Sequence, residues 1–227
     1  MVEVQQFAER RTSADDVYDH LYSQIVTLKV LPGTKMSEVE IARQFDVSRQ
    51  PVREAFIRLG NLDLLHIRPQ KATVVRKFSR KGISNARFVR TAIEIEILRR
   101  ACEVSEESHH LQIEQNLDKQ QIAIQRKDAD EFHALDYDFH RMLCIAADCE
   151  FAFQSIAENK AQVDRLCMLS LADENEMDVL LDDHNEILGA LKARDQDRIS
   201  SAIRLHLGRL DGTVEAIRST HKSYFED

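Results

Sequence analysis

The chain has 227 residues, 43% of them apolar and 31% charged, with a formal net charge of −8. This composition excludes an intrinsically disordered chain, and no run approaches the ~18 uninterrupted apolar residues of a membrane span, so a cytoplasmic protein of one large or two modest domains is expected. The charge is divided: residues 43–81 hold ten Lys or Arg against three acids, and residues 82–227 hold 17 basic against 29 acidic groups, so one end alone suits a polyanion such as DNA.

In chain order, Val17, Leu21, Ile25 and Leu28 recur at helical spacing and predict a first helix over residues 14–30, stopped by Leu31-Pro32-Gly33. Ser37 and Glu40 stand in capping-box register at the head of a short second helix. After Asp46 and Val47, Ser48 is read as the N-cap of a third helix reaching about Leu59. Two short helices across a three-residue turn are a helix-turn-helix. Ala42 is small where the helices must approach, and Asp46 tolerates the left-handed backbone such a turn needs. Val52, Ala55, Phe56 and Leu59 are the expected buried face. Pro51 falls in the first helical turn, where an amide hydrogen has no intrahelical acceptor. From Leu64 to Val75, β-branched residues on both sides of Pro69-Gln70-Lys71 predict a two-stranded hairpin, the wing of a winged helix-turn-helix. Phe78 to Gly82 is a basic connector.

Beyond it, six helices are expected at roughly 83–104, 107–127, 129–147, 151–172, 175–193 and 195–222. The breaks near Ser105, Asp128, Asp148, Asp173 and Asp195 are short and polar, so consecutive helices should pack antiparallel. The fold class is therefore mainly α, with a winged helix-turn-helix domain at 1–78 and an all-α bundle at 79–227. Cys102, Cys144, Cys149 and Cys167 lie in these helices without a Cys-x-x-Cys pair and read as reduced thiols.

The third helix leaves Arg49, Gln50 and Arg53 exposed at its N-terminal end, the part of a recognition helix that enters the major groove. Arg donates in a bidentate manner to guanine and Gln pairs with adenine, so these three are the expected base readers; the alternative is that the arginines only pair with Glu54 or phosphates. Gln70 and Lys71 at the wing tip suit phosphate or minor-groove contacts.

In the second domain, three histidines occupy places where the helical phase calls for an apolar residue. His184 sits in the stripe of Leu181, Ile187 and Leu188, and His206 in that of Ile203, Leu210 and Val214. Asp136 and His140 lie one turn apart between Phe132, Leu135, Phe139 and Leu143. Taken singly, a histidine on an apolar stripe reads as a hydrogen-bonded core residue, and an Asp/His pair one turn apart as a surface pair. Together, one Asp and three His from three helices form a set for a divalent ion such as zinc, manganese or nickel, with His133 as the substitute should one ligand fail.

The string VSRQPVREAF, preceded by EIARQF and followed by RPQKATVV, resembles the DNA-binding domain of the GntR family of bacterial regulators over residues 14–76. Asp63 and Ala72 stand where that family usually has glycine. Residues 83–220 resemble the C-terminal FCD-type domain of its FadR subgroup, on Arg90 with Glu94, DYDFH from Asp136 to His140, HNEILGAL from His184, and His206. The resemblance implies a homodimer on a palindromic operator, a bound metal at Asp136, His140, His184 and His206, and a small organic acid beside it facing Arg90. Asn159 and Arg165 are further candidates for that effector pocket. The expected function is a ligand-responsive repressor and not an enzyme. Two other readings remain: a metal-free regulator with an acyl or other small-molecule pocket, and a metal-dependent hydrolase, which lacks the Glu base of a His-Glu-x-x-His motif.

Overall fold

The structure is a computed structural model describing residues 11–68, 71–171 and 175–226, with the side chain of Gln162 excepted. It divides into two compact units: the described residues up to Ile25 with Lys29–Arg76, and Val26–Leu28 with those from Lys77 on.

The first unit begins with α1 (Ser13–Val26), which ends four residues sooner than its apolar spacing predicts. Leu28 takes a left-handed φ of 59° and the Val30 amide folds back to donate to the Gln24 carbonyl, which ends the helix before proline can. α2 (Glu38–Gln44) and α3 (Arg49–Asn61) are the predicted helix pair, capped at its start by Ser37, whose hydroxyl accepts from the Glu40 amide. Asp46 has φ 52°, the left-handed conformation assigned to it, and the Val47 amide closes on Ala42. Ser48 occupies the N-cap position of α3, but its side chain makes no capping hydrogen bond. Val52, Ala55, Phe56 and Leu59 are buried as expected.

The wing has an unforeseen third strand. β1 (Lys35–Met36), β2 (Leu65–His66) and β3 (Thr73–Val75) form an antiparallel sheet in the order β1-β3-β2, pairing Lys35 with Val74 and Leu65 with Val75. Two residues are too few to show a strand's alternation, which is why β1 left no mark in the sequence. Asp63, where glycine was missed, takes φ 61°.

The second unit is a bundle of α4 (Arg80–Val104), α5 (Glu107–Arg126), α6 (Ala129–Ala146), α7 (Phe153–Ser170), α8 (Glu176–Lys192), α9 (Gln196–Gly208) and α10 (Leu210–Thr220). The connector ends sooner than expected, because Ser79 caps α4 by accepting from the Gly82 amide. Asp128 and Asp195 cap their helices in the same way, each after a left-handed residue, Lys127 or Arg194. The break expected at Asp173 lies outside the described residues. The last predicted helix is in fact two, interrupted at Arg209, whose amide is shared between the carbonyls of Leu205 and His206. Gly208 and Gly212 flank the interruption, and each costs a helix about 1 kcal/mol relative to alanine. One core, including Leu98, Ile113, Phe139, Ile156, Ile187 and Ile203, joins α4 through α9.

Candidate metal centre and nucleic-acid interface

Asp136 and His140 project from α6, His184 from α8 and His206 from α9. All four are buried, and one ligand atom of each lies within 4.8 Å of the others. His184 Nε2 is 3.4 Å from Asp136 Oδ1, His140 Nε2 is 3.8 Å from the same oxygen, and His206 Nε2 is 3.4 Å from His140 Nε2. Metal bonds of ~2.0–2.2 Å separate tetrahedral ligands by roughly 3.3–3.6 Å, so the two 3.4 Å spacings match those of donors around one small cation, while the 3.8 Å spacing and the 4.8 Å spread of the set are wider and would have to close on it.

Each imidazole turns its other nitrogen toward an acceptor. His140 Nδ1 lies 2.6 Å from Glu94 Oε2, and His206 Nδ1 lies 3.5 Å from Asp183 Oδ2. For His184 the tautomer follows from a relay. Asn116 donates to the Leu135 carbonyl, its own oxygen accepts from Gln120 Nε2, and Gln120 Oε1 is left to accept from His184 Nδ1 at 2.8 Å. The proton therefore sits on Nδ1, and the Nε2 lone pair faces the centre, where it finds no hydrogen-bond partner among the described residues. Burial, together with the charge of nearby groups, holds the His184 and His206 imidazoles below their ordinary range, neutral and ready to coordinate. Burial pushes the Asp136 carboxyl up, but the Lys160 ammonium together with the His184 and His140 imidazoles outweighs it and keeps the group well below the usual carboxylate range. The donor types suit a divalent cation: three imidazoles and one carboxylate, with an oxygen acceptor facing the other nitrogen of each ring.

A cavity with about 710 Å³ of atom-free space, part of it open to solvent, runs alongside the quartet. Arg90 lines it and is buried; its Nε donates to Glu94 Oε1 at 2.8 Å and its Nη2 lies 3.4 Å from His140 Nε2. His133 lines it too, but it sits 3.2 Å from Asp164 rather than in the quartet. Asn159 and Arg165 do not line the cavity, contrary to expectation. On α7 the inward phase belongs to Lys160, Val163 and Cys167. Asn159 donates to the Ser155 carbonyl on its own helix, and Arg165, on the far side, stacks 4.7 Å over the Phe78 ring.

In the first unit, Arg49, Gln50 and Arg53 are exposed on the first turns of α3. Arg49 and Arg53 both pair with one carboxylate, Glu38 on α2, at 2.8 and 3.1 Å, and Gln50 donates to Glu54. The arginine partner is thus Glu38, not the Glu54 considered from sequence. These two hydrogen bonds hold the Glu38 carboxyl below its usual range. Lys71 is exposed at the wing; Gln70 lies outside the described residues.

Residues 13–75 match the family model described as bacterial regulatory proteins, gntR family, and residues 86–209 match the FCD domain. The chain belongs to the GntR family. It is 41% identical over 211 residues to the HTH-type transcriptional repressor RspR of Escherichia coli (strain K12), covering 93% of this chain and 92% of that protein. It is 27% identical over 201 residues to the gluconate operon transcriptional repressor of Bacillus subtilis (strain 168), covering 86% and 82%. Its fold is that of the solved E. coli McbR/YncC, with a TM-score of 0.79 at 18% identity over 91% of this chain and 99% of that one. As a GntR regulator it is a DNA-binding transcription factor and not an enzyme.

The sequence reading of this GntR chain missed Glu38, Gln120, Lys160, Asp164 and Asp183. A signal existed for two of them. Asn116 and Gln120 fall in the apolar phase of Ile113, Leu117 and Ala123, and Lys160 falls in that of Ile156 and Val163, so a polar residue on an apolar stripe marked the same centre from other helices.

Proposed function

We propose that the chain is a repressor that binds a palindromic operator as a homodimer and releases it in response to a small carboxylate held at a divalent metal in the FCD domain. Asp136, His140, His184 and His206 would hold the metal, which supplies a Lewis-acidic point for a carboxylate oxygen. Arg90 on the cavity wall would complete the recognition of that anion. Arg49, Gln50 and Arg53 would read base edges, and Lys71 with Gln70 would contact the backbone or minor groove. Effector binding changes operator affinity only by its differential affinity for the two arrangements of the dimer.

The observation that carries this reading is the convergence of three imidazole nitrogens and one carboxylate oxygen within 4.8 Å in a buried site, beside an open cavity lined by a buried arginine. A metal-free core would have no use for a lone pair fixed inward on His184. Elemental analysis of the purified protein should return about one transition-metal ion per chain, and chelation should lower the melting temperature. Near-zero metal together with an unchanged melt would remove the metal. Absence of any preference for an operator over random duplex at moderate salt would remove the repressor.

A further inference from the structure

Lys160 is buried, 2% exposed, among the groups nearest the quartet. Its ammonium lies 3.0 Å from Asp136 Oδ2 and 2.5 Å from Asp164 Oδ1. Desolvating an ammonium is costly, and Asp164, one turn along the same helix, would satisfy it in the ordinary way of an i, i+4 pair. The reach across to α6 needs a separate reason.

That reason lies in the two oxygens of Asp136. Oδ1 faces His184 and His140; Oδ2 faces Lys160. The lysine thus takes the oxygen that would otherwise be free to swing onto a cation as a second ligand from the same carboxylate. Asp164 is in turn held by His133, so the chain His133, Asp164, Lys160, Asp136 runs from one cavity wall into the quartet through charge-assisted contacts.

We infer that Lys160 is a positioning residue that keeps Asp136 monodentate and so tunes the centre toward small ions of low coordination number, such as zinc, over harder ions that take more oxygen ligands, such as manganese. The inference rests on the metal reading above and goes beyond it by assigning the selectivity of the site to a residue that does not itself coordinate. The physical logic is that of ligand count. Three nitrogens and one oxygen complete a zinc tetrahedron or leave places for an effector, whereas a second carboxylate oxygen adds a hard donor that favours manganese more than zinc.

The test uses the full chain stripped of metal. Zinc and manganese affinities of wild type and Lys160→Met are measured by competition with a chelator. Removing a positive charge strengthens binding of every divalent ion alike, so the zinc-to-manganese ratio, and neither constant alone, reports the carboxylate. That ratio should fall by about tenfold in the variant, the scale on which partners of metal ligands act. Cobalt-loaded variant should also lose visible absorption intensity as the ion gains a ligand. The double variant Lys160→Met with Asp164→Asn removes both charges, should it be needed for a folded protein, and should show the same fall. A third measurement needs no variant: a crystal structure of zinc-loaded wild type should show Asp136 bound through Oδ1 alone with Oδ2 still on Lys160. An unchanged ratio in a folded, metal-binding variant, or a bidentate Asp136 in the loaded wild type, overturns the role of Lys160 and leaves the metal centre standing. Wild type that binds neither ion overturns both.

Discussion

Gln120 shows how a single side chain outside the quartet can orient one of its imidazoles. Its amide oxygen, 2.8 Å from His184 Nδ1 against 3.4 Å for Asp136 Oδ1 on the other nitrogen, favours the proton on Nδ1, and its own orientation is decided by Asn116 and the Leu135 carbonyl. Gln120→Leu removes that acceptor and orphans His184 Nδ1 and the Asn116 oxygen in the core, so metal affinity should drop about 10- to 100-fold and the stripped protein should lose about 1–3 kcal/mol of stability; a chelator-competition titration on the folded variant reads the first, and unchanged affinity would show that packing alone orients the ring. The same imidazoles set a pH dependence. His184 and His206 have folded values depressed by burial from an ordinary 6.5, so below that pH the unfolded chain takes up protons that the folded one refuses. Stability of the stripped protein is therefore full above the unfolded value and lost as pH falls toward the folded values, by up to about 1.4 kcal/mol per pH unit for each imidazole. Urea melts between pH 8 and 5.5 should show this, and a flat profile would mean that both rings titrate normally. The buried quartet itself was legible because histidine on an apolar stripe is a visible violation of phase. Lys160 and Gln120 violated it too, but long amphipathic side chains so often bury only their stems that the pattern carried less weight.

At the scale of elements, helix phase was read well and helix ends less so. The ends here are decided by single residues with positive φ, including Leu28, Lys127, Asp148 and Arg194, and periodicity says nothing about which polar residue will adopt that conformation. Asp46 was readable because a helix-turn-helix demands a left-handed residue at that place; Leu28 was not, because leucine has no local hydrogen bond to favour it. The break at Arg209 escaped for a different reason. The apolar stripe runs on through His206, Leu210 and Val214, so the pattern is continuous where the backbone is not. Gly208 and Gly212 weaken that stretch, and an added Cβ at either would meet nothing within 4 Å. Gly208→Ala and Gly212→Ala should each stabilise the protein by about 0.4–1 kcal/mol, seen as a rise in the denaturation midpoint at constant slope. Destabilisation by either would show that the interruption depends on the glycine backbone and not on its low helix propensity.

For the whole molecule the governing fact is the division of charge, with a basic excess of seven over residues 43–81 and an acidic excess of twelve beyond. Such a chain meets DNA through its first unit, with affinity that falls steeply with salt because bound phosphates release counterions. Within that unit two kinds of contact should separate experimentally. Lys71 is exposed on the wing and suits a phosphate, so Lys71→Ala should weaken operator and random duplex alike and lower the slope of log K against log salt by about 1. Arg49 has a different standing, since its guanidinium is presented on the first turn of α3 and steadied by Glu38 at 2.8 Å. A steadied guanidinium loses less freedom on meeting a base edge, which favours a directional contact over a diffuse one. Arg49→Ala should therefore cost about 1–3 kcal/mol on the operator, relax selectivity at one base pair, and leave random duplex weakened by far less. Anisotropy titrations on both duplexes from 50 to 200 mM salt measure all of these quantities at once. Equal losses on the two duplexes would make Arg49 a phosphate contact like Lys71, and base reading by α3 would then fall to Gln50 and Arg53 alone.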